Sequence, residues 1–331
     1  MTTMKIAVVG LGAVGGLMAA RLTSAGHRVG ALARGATLTA VRERGLRLRA
    51  GGHETAVQIQ VEDDAAALGP QDLVVVTVKG QSLAAAAASM QPLLGRDTLV
   101  MPAMNGVPWW FMQTAPATVS FADRRLASID ADGRIDALLP LARVLGCVVP
   151  LTCASPEPGV VQHGFGDRLI VGEPAGGPSA RVDAVVDALA GADFQAEAHT
   201  DIRQAIWYKL WGNMTMNPVS ALTGAESHRI IDDPLVLGFM LGTMAEAAAI
   251  GAQIGCAITQ SGEDRMAVAR QLGAFKTSML QDLLADRPLE IDALVTAVHE
   301  IGGRLGVPMP NIAALLGLTR LMARERGLYP R

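Results

Sequence analysis

The chain has 331 residues, half of them hydrophobic, with a formal net charge of −3 and no basic tract. That length predicts two domains with a sizeable core, and the charge argues against nucleic acid as a main partner. Cys147, Cys153 and Cys256 form no CxxC pair and the six histidines show no ligand spacing, so a reducing cytosol is expected and a metal site is not.

The opening stretch MTTMKIAVVG lacks a signal-peptide layout. No apolar run approaches the roughly 20 residues a membrane helix needs; Leu235–Ala245 is the nearest and is too short. A cytoplasmic protein without a membrane partner is expected.

KIAVVG has the composition of a buried parallel strand, and AVGGLMAARLTSAG that of a helix ending at Gly26. HRVGALAR reads as a second strand, DLVVVTVK (Asp72–Lys79) as a third, SLAAAAASMQPLL as a helix and TLVMPAMNG as another strand. Strands alternating with helices predict a doubly wound parallel sheet. Trp109–Asp136 has no clean period and reads as an excursion. VLGCVVPLTCASPEPGVVQHGFGDRLIVGEP resembles short strands broken by Gly and Pro, and SARVDAVVDALAGA a helix. From about Asp201 helical patterns follow one another: Asp201–Met216, Pro234–Gly255, Arg265–Asp286, Leu289–Gly306 and Asn311–Leu328. The expected fold is α/β: an N-terminal Rossmann domain over 1–200 and an all-α domain over 201–331. The apolar helices of the latter leave both a monomer and a homodimer open.

Gly10, Leu11, Gly12, Ala13, Val14 and Gly15 form a GxGxxG motif between the first strand and its helix, the context a dinucleotide site requires. Gly10 permits the tight turn, Gly12 lets the backbone approach a pyrophosphate, and Gly15 lets helix and strand pack closely. The helix N-terminus offers unpaired N–H groups and partial positive charge to phosphates. A structural turn without nucleotide is the plainer alternative. The second strand carries no acid for a ribose hydroxyl and ends at Arg34, whose guanidinium can fork onto a 2′-phosphate. NADP(H) is therefore the expected cofactor, against the alternative of a surface arginine. Lys79 and Asn105 close two strands, and ligands of open α/β sheets bind beyond such ends. Alone, they read equally as a solvated lysine and a turn asparagine.

In WYKLWGNMTMNP, Lys209, Asn213 and Asn217 recur at i, i+4 and i+8 on an otherwise apolar helix. They share one side, drifting about 40° per step. Buried polar groups are paired or face a wet cavity, so three in register point to a ligand, although snorkelling and helix-bridging amides would also account for them. A lysine held out of water gives up its proton more readily, as the alkoxide formed by hydride addition to a ketone requires. A second cluster holds Lys276, Ser278, Asp282 and Glu290. On their own, Ser278 reads as a helix hydroxyl bonding its own chain and Glu290 as a first-turn acid.

GLGAVGG, VVVTVKGQS, MNGV, IWYKLWGNMTMNPVSALTG and KTSMLQDLLADRPLEID together resemble the ketopantoate reductases (2-dehydropantoate 2-reductases) over nearly the whole chain, in order and spacing. The resemblance implies a C-terminal domain like that of 6-phosphogluconate dehydrogenase, with the site between the domains, and NADPH-dependent reduction of a small 2-oxo acid. It implies that Lys209 is the proton donor, that Asn213 and Asn217 bind substrate oxygens, and that Ser278 meets the carboxylate. It further implies that Asn105 touches substrate and nicotinamide ribose, that Glu290 holds the ribose region and organises the site around the lysine, and that Lys79 and Arg34 hold NADPH. The chain departs from the pattern in a longer stretch from Asn105 to Gly146, with Trp109 and Trp110 after MNGVP, and in ALVTAV, where the family has glycine near Thr296. These departures leave open a paralogue acting on a different 2-oxo acid. An NADP-binding sensor without turnover is the reading from another class.

Overall fold

In the computed structural model of the protein, which describes residues 3–271 and 273–330, the apolar run Lys5–Val9 forms β1. It is followed by α1 (Ala13–Ser24), β2 (Arg28–Leu32) and α2 (Gly35–Arg44). A hairpin of β3 (Leu46–Ala50) and β4 (His53–Val57) leads to β5 (Gln60–Glu62), β6 (Gln71–Val76), α3 (Leu83–Ser89) and β7 (Leu94–Pro102). Then come α4 (Ala127–Asp130), α5 (Arg134–Leu138), β8 (Gly146–Val148), β9 (Cys153–Glu157), β10 (Val160–His163), β11 (Arg168–Gly172), α6 (Ala180–Ala190) and β12 (Gln195–Ala198). Helices follow: α7 (Ile202–Thr223), α8 (Ser227–Asp232), α9 (Pro234–Gln253), α10 (Gly262–Gln271), α11 (Ser278–Leu284), α12 (Ala297–Leu305) and α13 (Pro310–Glu325).

The first sheet has the order β5-β2-β1-β6-β7, with every pair parallel. Its inner strands are buried on both faces and so are nearly all apolar. The order reverses between β1 and β6, and the crevice beyond the carboxyl ends at such a switch point is where α/β sheets take ligands. Two smaller sheets, β4-β3-β10-β9 and β12-β11-β8, complete this unit. One apolar core runs from Ile6 and Val8 through Leu17, Met18 and Leu22 to Val161, Leu169 and Phe194.

The chain divides into two compact units, 1–104 with 133–205, and 105–132 with 206–331. The expected cut at 200 put the excursion in the first domain; it packs instead with the helices, for identifiable reasons. Trp109, Trp110 and Phe111 are almost fully buried, and Phe111 stacks on Trp207 of α7 with ring centroids 5.9 Å apart. Glu300 on α12 accepts hydrogen bonds from Ala127 N and Ser128 N at 2.9 and 2.8 Å, capping α4. Burial raises the Glu300 pKa, but the bonds from Ser128 and Ala127, with Arg304 nearby, outweigh it and hold the carboxyl below its ordinary range. Arg304 also donates to Asp123 O and lies over the Phe121 ring.

Three helical expectations are revised. The helix expected over Arg265–Asp286 is broken into α10 and α11. Gly273 has φ +72°, and Thr277 starts α11 by accepting a cap bond from Leu280 N; Leu272, inside that span, lies outside the described residues. Residues Asp292–Thr296 wind as a π-helix ahead of α12. The short apolar run at Leu235–Ala245 is part of the 20-residue α9, whose mean hydropathy of 1.7 makes it long and apolar enough to cross a membrane. The run extends because Glu246 alone interrupts the alanines and Ile250 that follow. Met240, Met244, Ala247 and Ile250 are buried, and α9 packs on α12 and α13.

Candidate functional site

The predicted site residues fall into two groups, one in each unit. In the first unit, β1 runs into Gly10, whose φ of +99° few L-residues adopt. Gly12 stands at the N-cap of α1 without a side-chain cap, exposed, and a Cβ there would meet nothing within 4 Å. Leu11 is buried, while Ala13 and Val14 start the helix half-buried. At Gly15 a Cβ would lie 2.0 Å from Gly10 O and 2.2 Å from Thr77 Oγ1, so the helix meets the turn as closely as a glycine allows. Thr77 fastens this arrangement: its hydroxyl lies 2.6 Å from Gly10 O, and its amide donates to Val9 O at 3.0 Å. The open N-terminus of α1, with a glycine in its approach, suits a pyrophosphate.

Arg34 follows β2, is exposed, and serves as the N-cap residue of α2. Its guanidinium has no ion pair among the described residues. An acid does stand beside the end of β2, since Glu62 on β5 is in register with Leu32. That acid is engaged, however, at 2.8 Å from Arg42 Nη2. Lys79 lies three residues beyond the end of β6, where it precedes a short 3-10 turn rather than closing the strand as expected. Asn105 likewise lies three residues beyond β7 and belongs to the second unit.

In the second unit, Lys209 Nζ donates to Asn105 Oδ1 at 2.8 Å. Asn105 is held there by its neighbours. Gly106, at φ +85°, lies so near Ala293 that a Cβ would come within 2.5 Å of the Ala293 carbonyl oxygen, and Val107 N donates to that oxygen at 2.8 Å. The π-helical segment thus buttresses the residue that meets the lysine. Further along α7, buried Asn217 donates from Nδ2 to Ser278 Oγ at 3.3 Å, with Ser278 exposed on the first turn of α11. Asn213 is half-buried between them. Glu290 is half-buried two residues before the π-segment, which Tyr329 Oη reaches by donating to Asp292 Oδ1. Pro218 lies inside α7 and removes one N–H from its ladder. Lys276 is exposed, and Asp282 pairs with Arg287 at 2.9 Å.

Sequence reading missed Thr77, the Gly106–Ala293 contact and Arg265. The signal for Thr77 is a lone hydroxyl just past an apolar run; the other two become visible only once distant segments are packed.

By their chemistry, the first group suits a dinucleotide and the second sets a proton donor among amides and a hydroxyl, the equipment of a nicotinamide-dependent oxidoreductase. The model for "Ketopantoate reductase PanE/ApbA" matches residues 6–176, and that for its C-terminal part matches 201–323. The chain belongs to the ketopantoate reductase family. A 2-dehydropantoate 2-reductase of Mesorhizobium japonicum is 41% identical over 98% of this chain and 100% of that protein. The crystal structure of a Ralstonia solanacearum MolK2 protein assigned as a ketopantoate reductase is 55% identical, with a TM-score of 0.94 over 99% of this chain and 100% of that one. D-mandelate dehydrogenase, solved with NADH and anilino(oxo)acetate, shares the fold at 20% identity and a TM-score of 0.84, over 98% and 100% of the two chains.

Proposed function

We propose that the protein reduces a 2-oxo acid with NADPH, and that this acid is 2-dehydropantoate, yielding pantoate. The observation that carries the reading is the Lys209 ammonium 2.8 Å from the Asn105 amide oxygen, on the helix that also bears Asn213 and Asn217. The activity named for the Mesorhizobium relative supports the substrate. Arg34, without an acid partner, and Glu62, already engaged by Arg42, support a 2′-phosphate over a bare ribose. Burial of Trp109 and Trp110 in the helical core removes the ground for a different acid that their position in the sequence offered.

When bound, the reduced nicotinamide supplies a hydride to the ketone carbon. Lys209 gives a proton to the ketone oxygen as the C=O bond opens; a hydroxyl forms, and the amine regains its proton from water. Asn105 orients the amine. Asn213 and Asn217 donate amide N–H groups to substrate oxygens, and the Ser278 hydroxyl, tied to Asn217, meets the carboxylate. Gly12 and the start of α1 hold the pyrophosphate, Lys79 and Arg34 the remaining phosphate and ribose oxygens, and Glu290 the ribose near the lysine. General acid help of this kind is worth about 10² to 10⁴ in rate. Lys209→Ala, assayed with NADPH and 2-dehydropantoate, should therefore lose about that factor in kcat. A variant retaining full kcat while the wild type is active removes the lysine from the chemistry.

A further inference from the structure

Arg265, on the first turn of α10, lies against the part of α7 that carries Lys209. A Cβ at Gly212 would come within 3.2 Å of Arg265 Nη2 and 3.4 Å of its Nε, so the guanidinium occupies the space a side chain there would fill. Its carbon lies 5.4 Å from the centroid of the Tyr208 ring, and Tyr208 is anchored by its hydroxyl donating to Gln260 Oε1 at 2.5 Å. Tyr208 and Gly212 are one helical turn apart and form a column on α7. Lys209 stands three residues before Gly212 and Asn213 one after, in the adjoining column. The guanidinium is therefore a direct neighbour of the lysine and amide already assigned to the substrate.

Its bonding is incomplete. Arg265 Nε is buried without a hydrogen-bond partner, and among the described residues the side chain has no ion pair, although Glu263 and Asp264 precede it in the same turn. Other arginines of this unit do find acids: Arg270 with Asp232, Arg287 with Asp282 and Arg304 with Glu300. A dehydrated donor without an acceptor is costly in a finished fold. A planar fork held flat between a glycine and an aromatic ring is pre-organised for a carboxylate.

We propose that Arg265 recognises a substrate carboxylate and makes the enzyme select acids over neutral ketones. This rests on the 2-oxo acid reading above, and it assigns the charge on the substrate to a residue outside the Lys209–Asn213–Asn217 stripe. The carboxylate is either the one next to the ketone or a second one at the far end of the molecule.

The test compares wild type with Arg265→Gln and Arg265→Lys on a 2-oxo monoacid, its methyl ester and a 2-oxo diacid. The wild-type preference in kcat/KM for acid over ester should fall about 10- to 100-fold in Arg265→Gln, the loss expected for one charge-assisted fork. Arg265→Lys should recover part of it, and guanidinium chloride should partly restore Arg265→Gln. The KM for NADPH should stay unchanged. A loss on the monoacid identifies the adjacent carboxylate; a loss confined to the diacid identifies the distal one. An equal loss on acid and ester makes Arg265 a packing residue and overturns the proposal. Calorimetric titration of oxamate into the NADPH complex separates the two claims. Wild-type binding that Arg265→Gln abolishes sustains the carboxylate site even if no 2-oxo acid turns over. Undiminished binding in the variant, or none in the wild type, sinks it.

Discussion

Gly12 and Gly15 separate the packing role of the glycine turn from its cofactor role. An alanine at 15 places its Cβ 2.0 Å from Gly10 O and 2.2 Å from Thr77 Oγ1, distances no real carbon tolerates. The backbone carbonyl cannot turn aside, and moving Thr77 breaks its 2.6 Å contact with Gly10. Overpacking of this kind costs about 1–3 kcal/mol, and the lost hydrogen bond adds about 0.5–1.5 kcal/mol. Gly15→Ala should thus lose about 2–4 kcal/mol. Gly12, by contrast, has φ −79° and ψ −161°, which alanine adopts freely, and a Cβ there meets no atom within 4 Å. The weaker N-cap costs Gly12→Ala under about 1 kcal/mol. Its methyl nevertheless stands where the pyrophosphate must approach, so NADPH affinity should fall at least about tenfold, or roughly 1.4 kcal/mol. Urea unfolding of the cofactor-free protein and fluorescence titration with NADPH read the two quantities separately. If Gly12→Ala binds NADPH like the wild type, the pyrophosphate does not lie over that glycine; if Gly15→Ala unfolds at the wild-type midpoint, the close-packing argument fails.

Arg34→Asp should weaken NADPH far more than NADH in the same titration; equal losses would undo the 2′-phosphate assignment. Burial, followed by the hydrogen bond to Asp292, pushes the Tyr329 phenol up to about 12. A raised pKa stabilises the fold below the ordinary value near 10 and ceases to do so as pH climbs through the folded value. Stability should therefore drop between about pH 10 and 12, and Tyr329→Phe should remove that part of the alkaline decline. An unchanged alkaline profile in the variant would mean the phenol is not linked to folding there.

Local composition made much of the fold readable. The run at β1, the glycines after it and the β-branched β6 each announce themselves within ten residues. The β3–β4 hairpin does not, because Arg47, Arg49 and Glu54 form ion pairs with one another and give those strands the polarity of a loop. The split of α10 from α11 was carried by Gly273 and Thr277, weak punctuation inside a strong apolar pattern. At the candidate site, helical spacing identified Lys209, Asn213 and Asn217 as one face. It could not say that Lys209 meets Asn105, 104 residues away, or that Arg265 fills the space beside Gly212. Such contacts come from packing remote segments, and no local period encodes them.

The excursion of residues 105–132 has a consequence for synthesis. Trp109, Trp110 and Phe111 leave the ribosome well before Trp207, on which Phe111 stacks. At about 5–20 residues per second that gap lasts roughly 5–20 s, with three large aromatics lacking their native cover. The nascent chain can close its nucleotide-binding half only around an unsatisfied greasy loop, which is the species a holding chaperone would grip. A fragment ended near residue 200 carries the same loop without ever receiving its partner, so it should aggregate where the full chain stays in solution.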